Sequence, residues 1–379
     1  MKIAHISDLH LGKQLHGFSL IEDQEFILNK ILSLCIEHKV EVLLVAGDIF
    51  DKNVASIDAL KIFRKFLNDL VQNGIKIMII SGNHDSAERL TFGSEFMEEK
   101  GIYFSKIFDG TVEAIKMQDE FGPINFYLMP FIKPGEVKHF FPDEEIKSYD
   151  DAVRVTVKNI QPNTNERNII IAHQAVLGSE KCDSEEGIIG GLDIISSDIF
   201  ADFDYVALGH IHTPQKIGKN IVYCGSPLKY SISEMQKDKH LPIINICEKE
   251  KFSLKDVQYE SLIPLRDIRE IKSNFYEIIE MSKKDPHNKE DFINIILTDE
   301  DEVLDALSTL RQIYPNIIQL SYENSETQNT ATLDEIISEK QKSPLEIFED
   351  FFENRSGRSL SFEQKDYMKE LIEKIWGED

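Results

Sequence analysis

The sequence predicts a layered α/β protein: mixed β-sheets flanked by helices, with a small α+β capping domain and a C-terminal helical pair. Three observations predict it. Short apolar runs rich in β-branched residues alternate with helical stripes through the first hundred or so residues, the pattern of strands buried in a mostly parallel sheet. Between residues 112 and 129 the runs become shorter and hairpin-like. Several runs end abruptly in Asp, Asn or His, and the carboxyl edge of such a sheet is where α/β proteins bind ligands.

Residues 2–7 form the first strand, followed by Asp8 and His10. Two positions apart, these share a face if the backbone stays extended. The next helix carries Ile27, Ile31, Leu34 and Cys35 on one stripe. Residues 40–46 are the second strand, running into Gly47, Asp48 and Asp51. A second helix aligns Leu60, Phe63, Leu67 and Leu70. The strand at 75–80 stops at Gly82, Asn83, His84 and Asp85, where glycine permits the backbone angles that aim its neighbours into a crevice. A third helix is expected from about 86 to 100, with Phe92 and Phe96, like Phe63 and Leu67, in the core.

Residues 168–172 read as a strand ending in His173. Residues 203–208 end in Gly209, His210 and His212, again two apart, and 242–247 add a closing strand. The expected boundaries are 1–255 for this domain, 256–325 for the capping domain with a strand at 292–297, 326–342 for a polar linker free of aromatics, and 343–379 for the helical pair. Ser343 with Glu346, and Ser361 with Gln364, match the capping box, the first with Pro344 at the first helical position. Leu345, Phe348, Phe351 and Phe352 line one side of the first helix; Met368, Leu371, Ile372 and Ile375 line the second.

The formal charge of −25 repels nucleic acid on average. A nucleic-acid substrate must then be met by a local basic patch, by bound divalent cations or by a partner. Cys35, Cys182, Cys224 and Cys247 form no Cys-x-x-Cys pair and read as reduced thiols. No run of about 18 apolar residues is present, and the first residues lack signal-peptide character. A cytoplasmic protein without a membrane association is expected.

Collected, the strand-end residues are Asp8, His10, Asp48, Asn83, His84, His173, His210 and His212. Carboxylate, amide oxygen and imidazole without thiolate select divalent metals such as Mn²⁺, Fe²⁺ or Zn²⁺. Even without His84 the set is too large for one ion with an open position. It suits two ions about 3.5–4 Å apart, the arrangement that activates water against a phosphate ester.

The blocks Asp-x-His, Gly-Asp-x-x-Asp, Gly-Asn-His-Asp, a lone His and Gly-His-x-His, in that order, resemble the calcineurin-like metallophosphoesterase signature. Longer phrases resemble its SbcD exonuclease branch: GNHDSAERL at 82–90, MPFIKP at 129–134, FDYVALGHIH at 203–212, CGSPLKY at 224–230 and LRQIYPN at 310–316. The resemblance implies that Asp8, His10, Asp48 and His212 hold one metal, and Asp48, Asn83, His173 and His210 a second, most simply both Mn²⁺. It implies that His84 acts on the scissile phosphate and that Asp51 orients His84. It further implies a hydrolase of the 3′–5′ double-strand exonuclease and endonuclease type in DNA repair, recombination and replication. The partner would be an SbcC-type coiled-coil ATPase gripped by the terminal helices through Leu345, Phe348, Phe352, Met368, Leu371 and Ile375. Homodimerisation within a heterotetramer is part of the same expectation, with part of the surface at Phe63, Leu67, Phe92 and Phe96, most simply core, as the alternative dimer interface.

Blander readings stand beside these. An Asp in a turn, like Asp51, is as often a turn former or helix cap. Arg89, Lys133 and Lys229 are candidate phosphate contacts, although isolated basic residues are mostly solvated. The terminal stripes could pack on each other instead of on a partner. A small-molecule phosphodiesterase or phosphatase, or a metal-bound scaffold without turnover, are the alternative functions.

Overall fold

Alternation along the strands sorts this chain into layers, seen in a computed structural model that describes residues 1–180, 182–184, 194–249, 253–324 and isolated positions from Phe348 to Met368. The first sheet contains β1 (Lys2–Ile6), β2 (Val42–Ala46), β3 (Lys76–Ile80), β4 (Ile102–Phe104), and two later strands. The second contains β5 (Ala114–Asp119), β6 (Gly122–Leu128), β7 (Arg167–His173), β8 (Tyr205–Gly209), β9 (Gln215–Ile217) and β10 (Ile221–Tyr223). β11 (His240–Asn245) and β12 (Gln258–Ser261) complete the first. The orders are β12-β11-β1-β2-β3-β4 and β9-β10-β8-β7-β6-β5, both six-stranded and both mixed.

Val42, Leu44 and Ala46 face Ile169, Ile171, Tyr205 and Ala207 in one buried cluster between the sheets. Leu43 and Val45, one residue out of step, face away, toward Ile27, Ile31 and Cys35 of α1 (Ile21–Glu37) and Phe63, Phe66 and Leu70 of α2 (Ile57–Gln72). On the far side Ile170, Val206 and Leu208 pack with Val153 and Val157 of α6 (Tyr149–Ile160) and Val137 of α5 (Pro134–Phe140). The result is helix, sheet, sheet, helix. Mixed β-sheets flanked by helices are what the sequence predicts; alternation with helices alone shows only a mostly parallel sheet, because apolar runs buried on both faces look alike whether a helix or another sheet covers them.

Local chemistry sets the helix ends. Ser56 accepts the Ala59 N–H to start α2, and Ser148 and Asp151 form a reciprocal capping box at α6. The expected helix from 86 to 100 is instead two short turns, α3 (Ala87–Leu90) and α4 (Ser94–Glu98). Gly93, at φ +75°, breaks the helical path between them. Phe92 and Phe96 are consequently 85% and 80% exposed, whereas Phe63 and Leu67 are at 6% and 7%. The core assignment is correct for the second pair and wrong for the first.

Three further strands, β13 (Ile268–Ser273), β14 (Phe292–Leu297) and β15 (Ile317–Tyr322), pair in the order β13-β14-β15, with α7 (Phe275–Ser282) and α8 (Ala306–Arg311) in the same stretch. The chain divides into two compact units: Met1–Ile271 with Lys284–Ile295 and Leu307–Gln319, and Lys272–Lys283 with Ile296–Ala306 and Leu320–Asp379. In the second unit Asn274 caps α7 through the Glu277 N–H, 2.9 Å away. The Ser361–Gln364 capping box is made there too, with Ser361 N–H on Gln364 Oε1 at 3.0 Å and Gln364 N–H on Ser361 Oγ at 3.3 Å. The expected linker at 326–342 and the helix start at Ser343 lie outside the described residues, as do Leu345, Phe351, Leu371, Ile372 and Ile375. Phe348 and Phe352, both half-buried, have ring centroids 6.5 Å apart. Among the described residues no helix is long and apolar enough to cross a membrane.

Candidate metal centre

The carboxyl ends of β1, β2, β3, β7 and β8 all open on one buried space in the first unit. β1, β2 and β3 run parallel in one sheet, and β7 and β8 in the other, so five loops converge. The loops are strained in a shared way. Asp8, His10, Asp48 and His210 all have positive φ, at 52°, 41°, 50° and 89°. Such angles cost non-glycine residues of order 1–3 kcal/mol each and persist where the surroundings impose them. Glycines make the close approach possible: a Cβ on Gly209 would lie 2.0 Å from the Ala46 carbonyl oxygen, and one on Gly82 2.1 Å from Asp48 Oδ1.

Seven of the eight predicted strand-end residues face one another. His10 Nε2 lies 3.1 Å from His212 Nε2 and 3.7 Å from Asp48 Oδ2. His212 Nε2 is 4.0 Å from Asp8 Oδ1. Asp48 Oδ2 is 3.3 Å from His173 Nε2, and Asn83 Oδ1 lies 3.0 Å from both His173 Nε2 and His210 Nδ1. The ring of His173 is oriented by its other nitrogen, 2.8 Å from the Ala46 carbonyl. Ligand atoms of Asp8, His10 and His212 fall within 4.8 Å of each other, as do those of Asp8, Asp48 and His173.

The electrostatics favour positive charge in this space. Burial by itself lowers His173 and His212, yet Asp48 raises His173 to about 9, and Cys182, Glu234 and Asp8 raise His212 to about 10. Burial would raise the Asp48 carboxyl; His173 and His10 reverse that and hold it well below the usual carboxylate range. A pocket that draws protons onto two buried imidazoles would also attract cations, and its oxygen and nitrogen donors suit hard-to-borderline divalent ions. The residues present therefore fit a pair of such ions.

His84 stands at the rim, with its Nε2 4.0 Å from Asp48 Oδ2. Its backbone N–H donates to Asp48 Oδ1 at 2.9 Å. Asp51 does reach His84, but through the backbone: its carbonyl lies 3.1 Å from His84 Nδ1. The Asp51 carboxylate instead pairs with Lys13 Nζ at 3.0 Å and approaches His10 Nδ1 at 3.9 Å. A carbonyl is carried by every residue type, so the identity of position 51 does not determine this contact.

Several supports were not anticipated. Asp85 accepts the backbone N–H groups of Gly82, Ile49 and Phe50 at 3.0–3.1 Å, tying the loops after β2 and β3 together. Burial first, and then the Asp48 charge, push it up to about 6. Gln24 of α1 donates to the His10 carbonyl at 2.7 Å, and the Tyr230 hydroxyl donates to the Leu9 carbonyl. Asp85 belongs to a block already singled out; Gln24 carried no signal, being one polar residue on a helix.

The candidate phosphate contacts are placed differently from one another. Arg89, on α3, reaches the Asn53 carbonyl at 3.3 Å and is exposed, as is Lys133 at the start of α5. Lys229 is engaged inside the protein by Asp267 at 2.8 Å and the Met235 carbonyl at 2.9 Å.

Comparison with known proteins agrees with this architecture. Residues 1–214 match the family model described as calcineurin-like phosphoesterase. Residues 264–356 match a model described as the type 5 capsule protein repressor C-terminal domain. The SbcD component of the nuclease SbcCD from Staphylococcus epidermidis is 32% identical over 380 residues, covering 98% of each chain. The chain belongs to the calcineurin-like phosphoesterase family, in its SbcD-type branch. Solved structures resemble it loosely. A dimetal phosphatase from Danio rerio aligns at TM-score 0.40 and 10% identity, and TT1561 of Thermus thermophilus at 0.40 and 11%; each covers 69% of this chain and 99% of its own.

Proposed function

We propose that this chain is the metal-dependent nuclease component of an SbcCD-type complex, hydrolysing DNA phosphodiesters during end processing, repair and recombination. One observation carries the reading: Asp8, His10, Asp48, Asn83, His173, His210 and His212 converge on one buried space with His84 at its rim. Asp8, His10, Asp48 and His212 would hold one cation, and Asp48, Asn83, His173 and His210 the other, with Asp48 common to both. Mn²⁺ is the ion we propose for both. When bound, such a pair supplies an acidified water and neutralises charge on the phosphate oxygens.

The chain's own residues do the rest. With Nδ1 of His84 donating to the Asp51 carbonyl, Nε2 faces the site; in the doubly protonated ring Nε2–H gives its proton to the leaving oxygen and the ring is left neutral with its proton on Nδ1. Asp51, through that carbonyl, positions the ring. Asp85 keeps the Asp48 and Asn83 loops at a fixed separation. Arg89 and Lys133 are the basic residues available to a DNA backbone, and bound cations together with a coiled-coil ATPase partner would offset the −25 charge. Phe348, Phe352 and Met368, with Leu345, Leu371 and Ile375, are the proposed grip on that partner.

We also propose a homodimer, assembled by the face beside α2. An apolar groove of 590 Å³ runs there between Phe50, Leu60, Phe63, Leu67, Leu90 and Phe92. Val54, Ile57, Leu60, Phe92 and Phe96 are exposed in the same region, the clustered apolar surface that an interaction site presents.

The test is cleavage of hairpin and linear DNA by the full chain, with and without its ATPase partner, in Mn²⁺ and in Mg²⁺. His84→Ala should bind manganese like the wild type and cleave about 10²–10⁴-fold more slowly. Undiminished cleavage by that variant would remove His84 from the mechanism. Hydrolysis of a nitrophenyl phosphodiester with none of any DNA, partner included, would favour the small-molecule phosphodiesterase.

A further inference from the structure

His212 is held on two sides. Nε2 faces the centre, 3.1 Å from His10 Nε2 and 4.0 Å from Asp8 Oδ1. Nδ1 faces the other way, 2.7 Å from Ser184 Oγ. Ser184 Oγ in turn lies 2.5 Å from Glu234 Oε1, and Cys182 Sγ is 3.2 Å from the same hydroxyl. Glu234 is fully buried, and donors surround it: Lys239 Nζ at 2.5 Å, the Tyr230 N–H at 3.0 Å, and the Ser226 and Ser231 hydroxyls at 3.3 Å. Lys239 is itself buried and also donates to the His212 carbonyl at 2.9 Å, so it ties Glu234 to the loop that carries the histidine. A buried carboxylate paired with an ammonium in this way stays ionised and only accepts hydrogen bonds.

Proton counting along this chain gives a definite result. A serine hydroxyl has one proton, and Ser184 gives it to the carboxylate at 2.5 Å. Toward His212 the same oxygen can therefore only accept, so the proton of the neutral ring sits on Nδ1. In the neutral ring that ligation requires, Nε2 is left with a lone pair directed at Asp8 and His10. For His173 the same service comes from the Ala46 carbonyl; for His212 it comes from two side chains that substitution can remove.

We propose that Ser184 and Glu234 are positioning residues of the metal centre, locking His212 in the tautomer that ligates through Nε2. The proposal rests on the ligand roles assigned above. Hydrogen-bonded partners behind metal-ligating histidines typically govern about 10–100-fold of metal affinity. The pair would thus set how tightly the site keeps its ions without touching the substrate.

The experiment is calorimetric titration of manganese chloride into the full chain, for the wild type and for Ser184→Ala, Ser184→Thr, Glu234→Gln and His212→Ala, together with metal-free melting temperatures. Ser184→Ala and Glu234→Gln should weaken manganese binding about 10–100-fold, and Ser184→Thr, which keeps the hydroxyl, should bind like the wild type. Ser184→Ala should also lower the metal-free melting temperature, because two buried partners lose a hydrogen bond, so affinity is the deciding readout: a merely structural role would lower the melting temperature and leave affinity alone. If Glu234→Gln fails to fold, Ser184→Ala with its threonine rescue decides the matter alone. Wild-type affinity in Ser184→Ala beside lost affinity in His212→Ala overturns the relay and spares the ligand assignment. Wild-type affinity in His212→Ala overturns the ligand assignment itself.

Discussion

Asp48 shapes the centre through its backbone as well as its carboxylate. One oxygen accepts the His84 N–H while the other faces His173 and His10, and its own φ of 50° is imposed by the loops around it. A second, half-buried carboxylate acts at the opposite end of β7. There Arg167, itself buried, donates to Asp119 at 3.0 Å and to the Ile246 carbonyl at 3.2 Å. Burial would raise the Asp119 carboxyl, but Arg167 holds it well below its usual range. A depressed folded pKa means the stabilisation is present above the unfolded value and is lost as pH falls through the folded one. Asp119→Asn should therefore cost roughly 1–3 kcal/mol at neutral pH in a denaturant titration, because Arg167 loses its charged partner. The gap to the wild type should narrow toward the acid limit. A gap independent of pH would show that charge is not what Asp119 contributes.

At the scale of elements, the site depends on how closely two sheets approach at one edge. Gly209, the last residue of β8, passes the end of β2 with no room for a methyl group. Gly209→Ala should cost about 1–3 kcal/mol or more in thermal unfolding and weaken manganese binding, since the displaced atoms include Ala46 O and His173 Nδ1. A variant with wild-type stability and affinity would mean the edges are not rigidly held. This edge was the most legible part of the sequence, because ligand-bearing residues sit immediately after apolar runs, and those runs are β1, β2, β3, β7 and β8. What the sequence did not reveal has physical reasons. Which strands stack on a sheet and which on a helix stays hidden, because strands covered by either have the same composition. Phe92 and Phe96 keep helical spacing, yet Gly93 breaks the helix that would have buried them. The Asp51 contact uses a backbone atom, and the relay behind His212 joins residues 28 and 50 positions apart, with no local pattern to mark it.

At the scale of the whole molecule, the proposed nuclease role asks a chain of net charge −25 to approach a polyanion, and bound cations and a partner are the proposed sources of the missing positive charge. The apolar groove beside α2 predicts assembly that can be measured directly. Replacing Phe92 and Phe96 together by Asp should convert a dimer to a monomer in light scattering and leave the fold intact, since both side chains lie at the surface. An unchanged dimer would locate the interface elsewhere. The central claim is that distant strand ends cage two cations. Anomalous diffraction at the manganese edge, on crystals grown with Mn²⁺, tests it most directly. Two peaks should appear, one among Asp8, His10, Asp48 and His212, the other among Asp48, Asn83, His173 and His210. A single peak, or none within reach of Asp48, would contradict it.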